Sequence, residues 1–295
     1  MTRRALVLSG GGPVGIAWEA GILAGLAEEG VDLAAADFIL GTSAGSVVGA
    51  QLALGRPPAA MLAAELAQVE GTRAAASTLL RPPDLQPLME VMIKAATSGR
   101  SPEETRAEIG AFALAAETVP EEEFIATFGQ WIGGLEGGWP ERFACTAVDT
   151  ADGTFVVWNR EAGVSLARAV ASSCAVPGIF PPVTINGRRY MDGGMRSGTN
   201  ADLARGYDVV IVVSVMPREP VPGREAMAEA ARRRLEGELA SLRESGSVVA
   251  LVAPDKGSQE AFGPNLMDVG RRAAAAEAGA RQGRAEAGRL RDLWG

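Results

Sequence analysis

The sequence predicts an α/β protein whose mainly parallel central sheet is covered by helices on both faces. Three observations carry this. Short, mostly apolar runs such as Ala5 to Leu8 and Val209 to Val215 suit strands buried on both faces, not the alternation of a half-wet sheet. Twice before Leu54, such a run breaks into small residues and then into helical spacing of apolar positions. Apolar strand patterns and longer helical stretches then continue to alternate toward the C-terminus, the order of βα units.

In chain order, Ala5 to Leu8 reads as a buried strand that enters a tight loop at Ser9-Gly10-Gly11-Gly12. Pro13 suits the first turn of the following helix, where its missing N–H is no loss. Ile16, Ala20, Leu23 and Leu26 carry that helix to about Gly30. Asp37 to Leu40 is a second strand, followed at once by Gly41-Thr42-Ser43-Ala44-Gly45 and a helix to Leu54. From Pro57 to Pro140 the pattern is almost wholly helical and reads as an insert over the sheet, with Leu62, Leu66, Leu88 and Met92 as apolar positions of a lid. Strands return at Phe143 to Val148 and Thr154 to Trp158 through an Asp152-Gly153 turn. A helix over Val164 to Ser173 precedes a hairpin, Val183 to Ile185 and Arg188 to Met191, closed by Asn186-Gly187. Val209 to Val215 and Val248 to Ala253 are buried strands separated by a charged helix from Arg224 to Ser245. The Ala- and Arg-rich stretch from Leu266 to Trp294 reads as a helical tail. The domain expectation is therefore one domain over 1–295, containing a helical insert at 57–140 and a C-terminal helical tail at 264–295.

Composition excludes several classes. The net charge is −8 and Arg and Glu are interspersed, so no basic face for nucleic acid is expected. Two cysteines, Cys145 and Cys174, cannot make a disulfide framework, and a reduced, cytoplasmic life is the simpler expectation. The opening residues break into glycines before an apolar signal segment develops, and the apolar runs are far too short to span a bilayer. The chain has 0 histidines, so neither a Ser-His-Asp triad nor a histidine-ligated metal can be built from it alone.

Gly41-Thr42-Ser43-Ala44-Gly45 matches G-x-S-x-G between a strand and a helix. A serine on a sharp strand-to-helix turn needs small residues two positions either side, because neighbouring elements approach closely there. The helix after Ser43 also aims free N–H groups and its positive dipole end at that spot. An ordinary Gly/Ser turn would use the same residues, but the flanking strand and helix are the context the motif demands. Ser43 is the candidate nucleophile.

Gly10 to Gly15 literally fits the dinucleotide fingerprint G-x-G-x-x-G, so a nucleotide-binding protein using this loop is a rival. That fingerprint expects an acidic residue closing the second strand, where this chain has the Gly41 turn, and Asp32 and Asp37 precede the strand. Three glycines at a helix start are better suited to an oxyanion hole, with the N–H groups of Gly11, Gly12 and Ala44 as donors.

A serine hydroxyl needs a base, and without histidine the choices are Asp, Glu, Lys or a chain terminus. Asp192 stands out at the end of a strand, followed by Gly193 and Gly194, which set its carboxylate on an open turn. Read alone, this is an ordinary Asp-Gly turn. Together, Gly10-Gly11-Gly12 with Gly15, Gly41-Thr42-Ser43-Ala44-Gly45, Ala171-Ser172-Ser173-Cys174-Ala175-Val176-Pro177 with Phe180-Pro181-Pro182, and Asp192-Gly193-Gly194 resemble the patatin-like phospholipases, in the order that family has them. The resemblance spans Gly10 to Gly194; the helical middle and the C-terminal third carry no matching motif. It implies a Ser43–Asp192 dyad, a glycine-loop oxyanion hole, an acyl-enzyme, and no metal or cofactor. It also implies a lipid or small apolar ester as substrate, with transient membrane-surface contact. The family commonly has a basic residue in the loop where this chain has Val14, which weakens the case for a preference for anionic phospholipids and leaves the dyad untouched.

Cys145 and Cys174 read as core, and Trp131 and Trp139 as anchors of the insert. A catalytically idle member of the family, serving as a binding scaffold, is the remaining rival.

Overall fold

The strands assemble around the apolar runs the sequence marks out. In the computed structural model, the described residues are 2–75, 84–96, 98–132, 138–216 and 225–295. Their strands are β1 (Arg4–Leu8), β2 (Phe38–Gly41), β3 (Phe143–Asp149), β4 (Phe155–Trp158), β5 (Val183–Ile185), β6 (Arg188–Asp192), β7 (Val209–Val213) and β8 (Val248–Val252). They form one sheet along the hydrogen-bonded path β5-β6-β3-β2-β1-β7-β8, with β4 paired to β3 off that path. Strands β3, β2, β1, β7 and β8 run parallel, while β4, β5 and β6 pair antiparallel. Every residue of β7 is buried, and each fully buried Val or Ile contributes about 1.5–3 kcal/mol relative to exposure.

The helices are α1 (Gly12–Glu28), α2 (Ala44–Ala53), α3 (Pro58–Ala75), α4 (Gln86–Ala96), α5 (Pro102–Ala115), α6 (Glu121–Ile132), α7 (Leu166–Ser173), α8 (Glu225–Glu244), α9 (Lys256–Phe262) and α10 (Arg272–Trp294). The core is split by the sheet. One face packs α1, α2 and α10 on Leu6, Leu8, Ile39 and Ile211; the other packs α8 on Val7, Leu40, Val210 and Val212. Helices α3 to α6 lie within 57–140, where the sequence expects an insert; 76–83, 97 and 133–137 of it fall outside the described residues.

One expected boundary is corrected. The C-terminal helix begins at Arg272, not Leu266; Asn265 to Met267 form a loop, and the Leu266 carbonyl accepts the Val14 N–H at 3.2 Å. The helix α10 packs closely on α1. Its glycines interlock with those of α1: a Cβ at Gly21 would meet Ala276 O at 2.2 Å, and one at Gly279 would meet Trp18 O at 2.3 Å. An Ala-rich pattern hides this, because the contact is made by backbone and not by large side chains.

The register explains where the functional turns lie. Cys145 pairs with Gly41 of β2 and Trp158 of β4, so those strands take opposite edges of β3. Ala147 pairs with Val156 of β4 and Asp192 of β6, so β6 also lies opposite β4. Therefore β2 and β6 share one edge of β3 and meet end to end, because β2 is parallel to β3 and β6 antiparallel. Only Thr146 separates their partners, a spacing of about 7 Å at roughly 3.3 Å per residue. The fold thus aims the C-terminal ends of β2 and β6 at each other.

Candidate active site

The turn after β2 is forced by packing. A Cβ at Gly41 would lie 2.4 Å from Gly45 O, and one at Gly45 would lie 2.2 Å from Leu8 O. Glycine two positions either side of Ser43 is therefore a steric requirement. Ser43 itself sits at the N-cap of α2 with φ 51° and ψ −116°. That left-handed φ costs a non-glycine residue about 1–3 kcal/mol and persists only where its surroundings hold it. Here they do. The Ser43 N–H donates to Ser173 Oγ at 3.0 Å, while the Ser43 carbonyl accepts from Ser46 Oγ at 2.6 Å and Cys174 Sγ at 3.2 Å.

Asp192 closes β6 from the opposite direction. The sequence reading sets its carboxylate on an open turn; in the structure it is only 3% exposed. Its Oδ1 accepts the Gly194 N–H at 2.7 Å, and the Ser43 side chain is near enough to favour the ionised carboxylate. Burial pushes its pKa up to about 6, against the opposing pull of the Ser43 side chain and the Gly194 N–H. Gly193 is required because a Cβ there would fall 2.1 Å from Thr146 Oγ1. Gly194 faces the carboxylate, and a Cβ on it would stand 2.9 Å from Asp192 Oδ1.

The glycine loop leaves β1 beside this pair. A Cβ on Gly10 would stand 3.3 Å from Ser43 Cβ. Within the loop, the N–H groups of Gly10, Val14 and Gly15 bond to Gly198 O, Leu266 O and Gly11 O. Among the described residues, no acceptor takes the N–H of Gly11 or Gly12. The Ala44 N–H at the start of α2 is likewise untaken, whereas its neighbours Gly45 and Ser46 bond to carbonyls of Ser9, Thr42 and Ser43. The three amides singled out in the sequence are thus without an internal acceptor among the described residues. With Pro13 lacking an N–H, two free amides make a poor cradle for a dinucleotide pyrophosphate.

Some supporting residues escape sequence reasoning. Ser173 and Cys174 hold the Ser43 backbone from the end of α7; their signal was the Ser-Ser-Cys string, whose role depends on folding. Ser9 ties the glycine loop to both neighbours. Its carbonyl accepts the Gly45 N–H at 2.9 Å and its Oγ the Val215 N–H at 3.0 Å. Its own N–H donates to Glu19 Oε1 at 3.0 Å. Glu19 is fully buried in α1 and Oε2 has no partner among the described residues, so burial drives its pKa well up and favours the neutral acid. Cys145 and Cys174 are buried free thiols pushed upward by burial, which makes them poor nucleophiles. Trp139 donates from Nε1 to Phe143 O at 2.9 Å and anchors the chain entering β3; the Trp131 side chain lies outside the described residues.

The sheet, the strained serine at a strand-to-helix elbow and the neighbouring glycine loop together define an α/β protein with a central sheet flanked by helices. The family described as patatin-like phospholipase matches residues 6–205. The chain belongs to that family, whose members act on lipid substrates. Comparison with curated protein sequences gives no match. Among solved structures, the chain is similar to VipD from Legionella pneumophila at 13% identity and TM-score 0.45, covering 98% of this chain and 67% of that one. It is also similar to the type III effector ExoU at 17% identity and TM-score 0.43, covering 100% of this chain and 54% of that one. A complex of ExoU with SpcU from Pseudomonas aeruginosa matches at 20% identity and TM-score 0.41, over 95% of this chain and 51% of that one. The chain thus spans about two thirds of the first of these proteins and about half of the second. No helix among the described residues is long and apolar enough to cross a membrane.

Proposed function

We propose that this chain hydrolyses carboxylic esters of apolar acyl chains through a Ser43 acyl-enzyme, with Asp192 as base. The observation that carries the proposal is that β2 and β6 meet end to end on β3, which sets the buried Asp192 against the Ser43 elbow; burial also raises the Asp192 pKa to about 6. A carboxylate near pKa 3.9 is a feeble base, and burial brings this one closer to the working pH.

In the acylation step, Ser43 Oγ bonds to the ester carbonyl carbon and its proton passes to Asp192. The negative charge that forms on the carbonyl oxygen is met by the N–H groups of Gly11, Gly12 and Ala44, each worth on the order of 3 kcal/mol. Collapse breaks the ester C–O bond, and the departing alkoxide takes the proton from Asp192. Water then repeats the sequence on the acyl-enzyme, delivering the acid and restoring Ser43.

An apolar substrate is supported by an apolar cluster that includes Met191 and Met195, on either side of Asp192 in the chain. Met195 and Val176, close in sequence to Asp192 and Cys174, pack with Leu88, Val91 and Met92 of α4 and Ile109 and Phe112 of α5. A groove of about 580 Å³ is lined by Leu85, Met89, Ile93 and Pro264 together with polar Asp84, Gln86, Glu90 and Asn265. Asn265 in its wall precedes Leu266, whose carbonyl holds Val14 in the glycine loop. In this reading, residues 57–140 form a lid on a single domain spanning 1–295, and the lid makes transient contact with a lipid surface. Two buried free cysteines suit a reducing, cytoplasmic setting.

The test is p-nitrophenyl ester hydrolysis by purified wild-type, Ser43→Ala and Asp192→Asn protein. Both variants are expected to fall by about 10⁴-fold in kcat; full activity in either removes the proposal.

A further inference from the structure

We infer that Asn200 is a positioning residue that locks the Ser43 turn and the Asp192 turn into one register. The inference rests on the dyad reading above. Because β2 and β6 meet end to end, the two turns belong to separate strands joined only through β3, and something must fix the junction. Thr146 fills it on the β3 side: its Oγ1 lies 3.0 Å from Thr42 Oγ1. Asn200 fills it from the other. Its Nδ2 donates to Ser197 O at 2.8 Å and Thr42 Oγ1 at 3.1 Å, with longer approaches to Gly193 O at 3.4 Å and Thr146 Oγ1 at 3.5 Å. Thr42 precedes Ser43 and Gly193 follows Asp192. One amide nitrogen therefore touches the neighbour of each member of the pair.

The amide can face only one way. Asn200 Oδ1 accepts from Arg196 at 2.8 Å, and a guanidinium offers donors only. Arg196 is fixed in turn by Asp202, at 2.9 and 2.6 Å, and lies over the Phe155 ring. The loop has its own anchor in α8, where Glu238 accepts from Thr199 Oγ1 at 2.5 Å and the Ala201 N–H at 2.9 Å. Asn200 is fully buried and has φ 51°, a conformation that asparagine and glycine tolerate. Glycine supplies that backbone without the amide. Aspartate supplies the shape but sets an acceptor against the Ser197 and Gly193 carbonyls. The identity of the residue thus follows from needing both the left-handed backbone and a donor.

The test compares Asn200→Gly, Thr42→Val, Thr42→Ser and the Asn200→Gly/Thr42→Val double variant in ester hydrolysis and thermal unfolding. Asn200→Gly is expected to lower kcat by roughly 10- to 100-fold with KM within about threefold, since a displacement near 1 Å costs on that order. Thr42→Val should lose a similar factor, and Thr42→Ser, which keeps the hydroxyl, should stay within about threefold of wild type. Because either single variant already loses the Asn200–Thr42 bond, the loss in the double variant should fall well short of the product of the two single losses. Asn200→Gly with kcat within about twofold of wild type overturns the inference, as do losses that multiply in the double variant. If Asn200→Gly fails to fold, Thr42→Val decides: full activity there overturns the inference, and loss with recovery in Thr42→Ser sustains it. A wild-type protein inactive on every ester removes the dyad reading itself, and Asn200's role with it. An active wild type with an indifferent Asn200 removes only the latter.

Discussion

At the meeting of β2 and β6, polar groups are buried and bonded: Ser43 to Ser173 and Cys174, Asp192 to Gly194, and Thr42 to Thr146 and Asn200. Over α4 to α6 the pattern reverses. Leu114 and Val119 are 48% and 43% exposed, and Lys94 and Arg100 pair with Glu108 in water. The helical region is held at a few buried points instead. Arg272 at the start of α10 grips Glu65 of α3 with two bonds of 2.8 Å, and Arg106 of α5 donates to Gly153 O at 2.7 Å. One region is fixed by backbone contact and the other by isolated anchors. Chemistry that tolerates no displacement belongs in the first, and contact with variable, apolar molecules in the second.

The contrast between the two regions should show most strongly at Gly45. Gly45→Ala forces a methyl into Leu8 O, and a loss of stability of at least about 3 kcal/mol in urea unfolding is expected, at the upper end of overpacking costs. A midpoint unchanged from wild type would mean that the elbow can accept a methyl group after all. A finer probe is the strain at Ser43. Ser43→Ala and Ser43→Gly both lack the hydroxyl and differ only in tolerance of φ 51°. The glycine variant should be the more stable by about 1–2 kcal/mol in parallel denaturant melts; equal midpoints would show the serine backbone to be relaxed. At the far end of the scale, Leu114→Ser and Val119→Ser should change the unfolding free energy by less than about 0.5 kcal/mol. In the proposed role they weaken turnover of vesicle-bound ester and spare soluble ester; a large stability loss would move α5 into the fixed region.

Much of this was legible in the sequence because it is local. Glycines two positions from Ser43, the loop after β1, and the small residues after Asp192 announce tight turns by spacing alone. What could not be read depends on register across a hundred residues. Nothing near Asp192 reveals that β6 will abut β2, so its carboxylate reads as exposed although it is buried. Asn200 lies in a Ser-Gly-Thr-Asn string that any loop might carry, and its role exists only once Thr42 and Gly193 converge. Glu19 reads as an ordinary charge in a helix because α1 is buried all round, which erases the periodic signal that would mark an inward-facing carboxyl. The α1–α10 contact was invisible for the same reason in reverse, being made by residues without side chains.

The pH behaviour of Asp192 links stability to catalysis. Its folded pKa lies above the ordinary value of 3.8, at about 6, so the native state holds that proton more tightly than the unfolded chain. Stability from this group is full below about pH 3.8 and is lost as pH rises toward about 6, while the ionised base that catalysis requires appears over the upper part of that range. The group is less stable where it is more useful.

The most direct measurement is therefore labelling with a fluorophosphonate, mapped by peptide mass and followed against pH. One phosphonyl adduct is expected, on the peptide containing Ser43. Its rate should climb about tenfold per pH unit below a midpoint near 6 and level off above it, and Asp192→Asn should abolish that limb along with most of the labelling. An adduct on another residue, or a Ser43 rate indifferent to both pH and Asp192→Asn, would contradict the Ser43–Asp192 pairing.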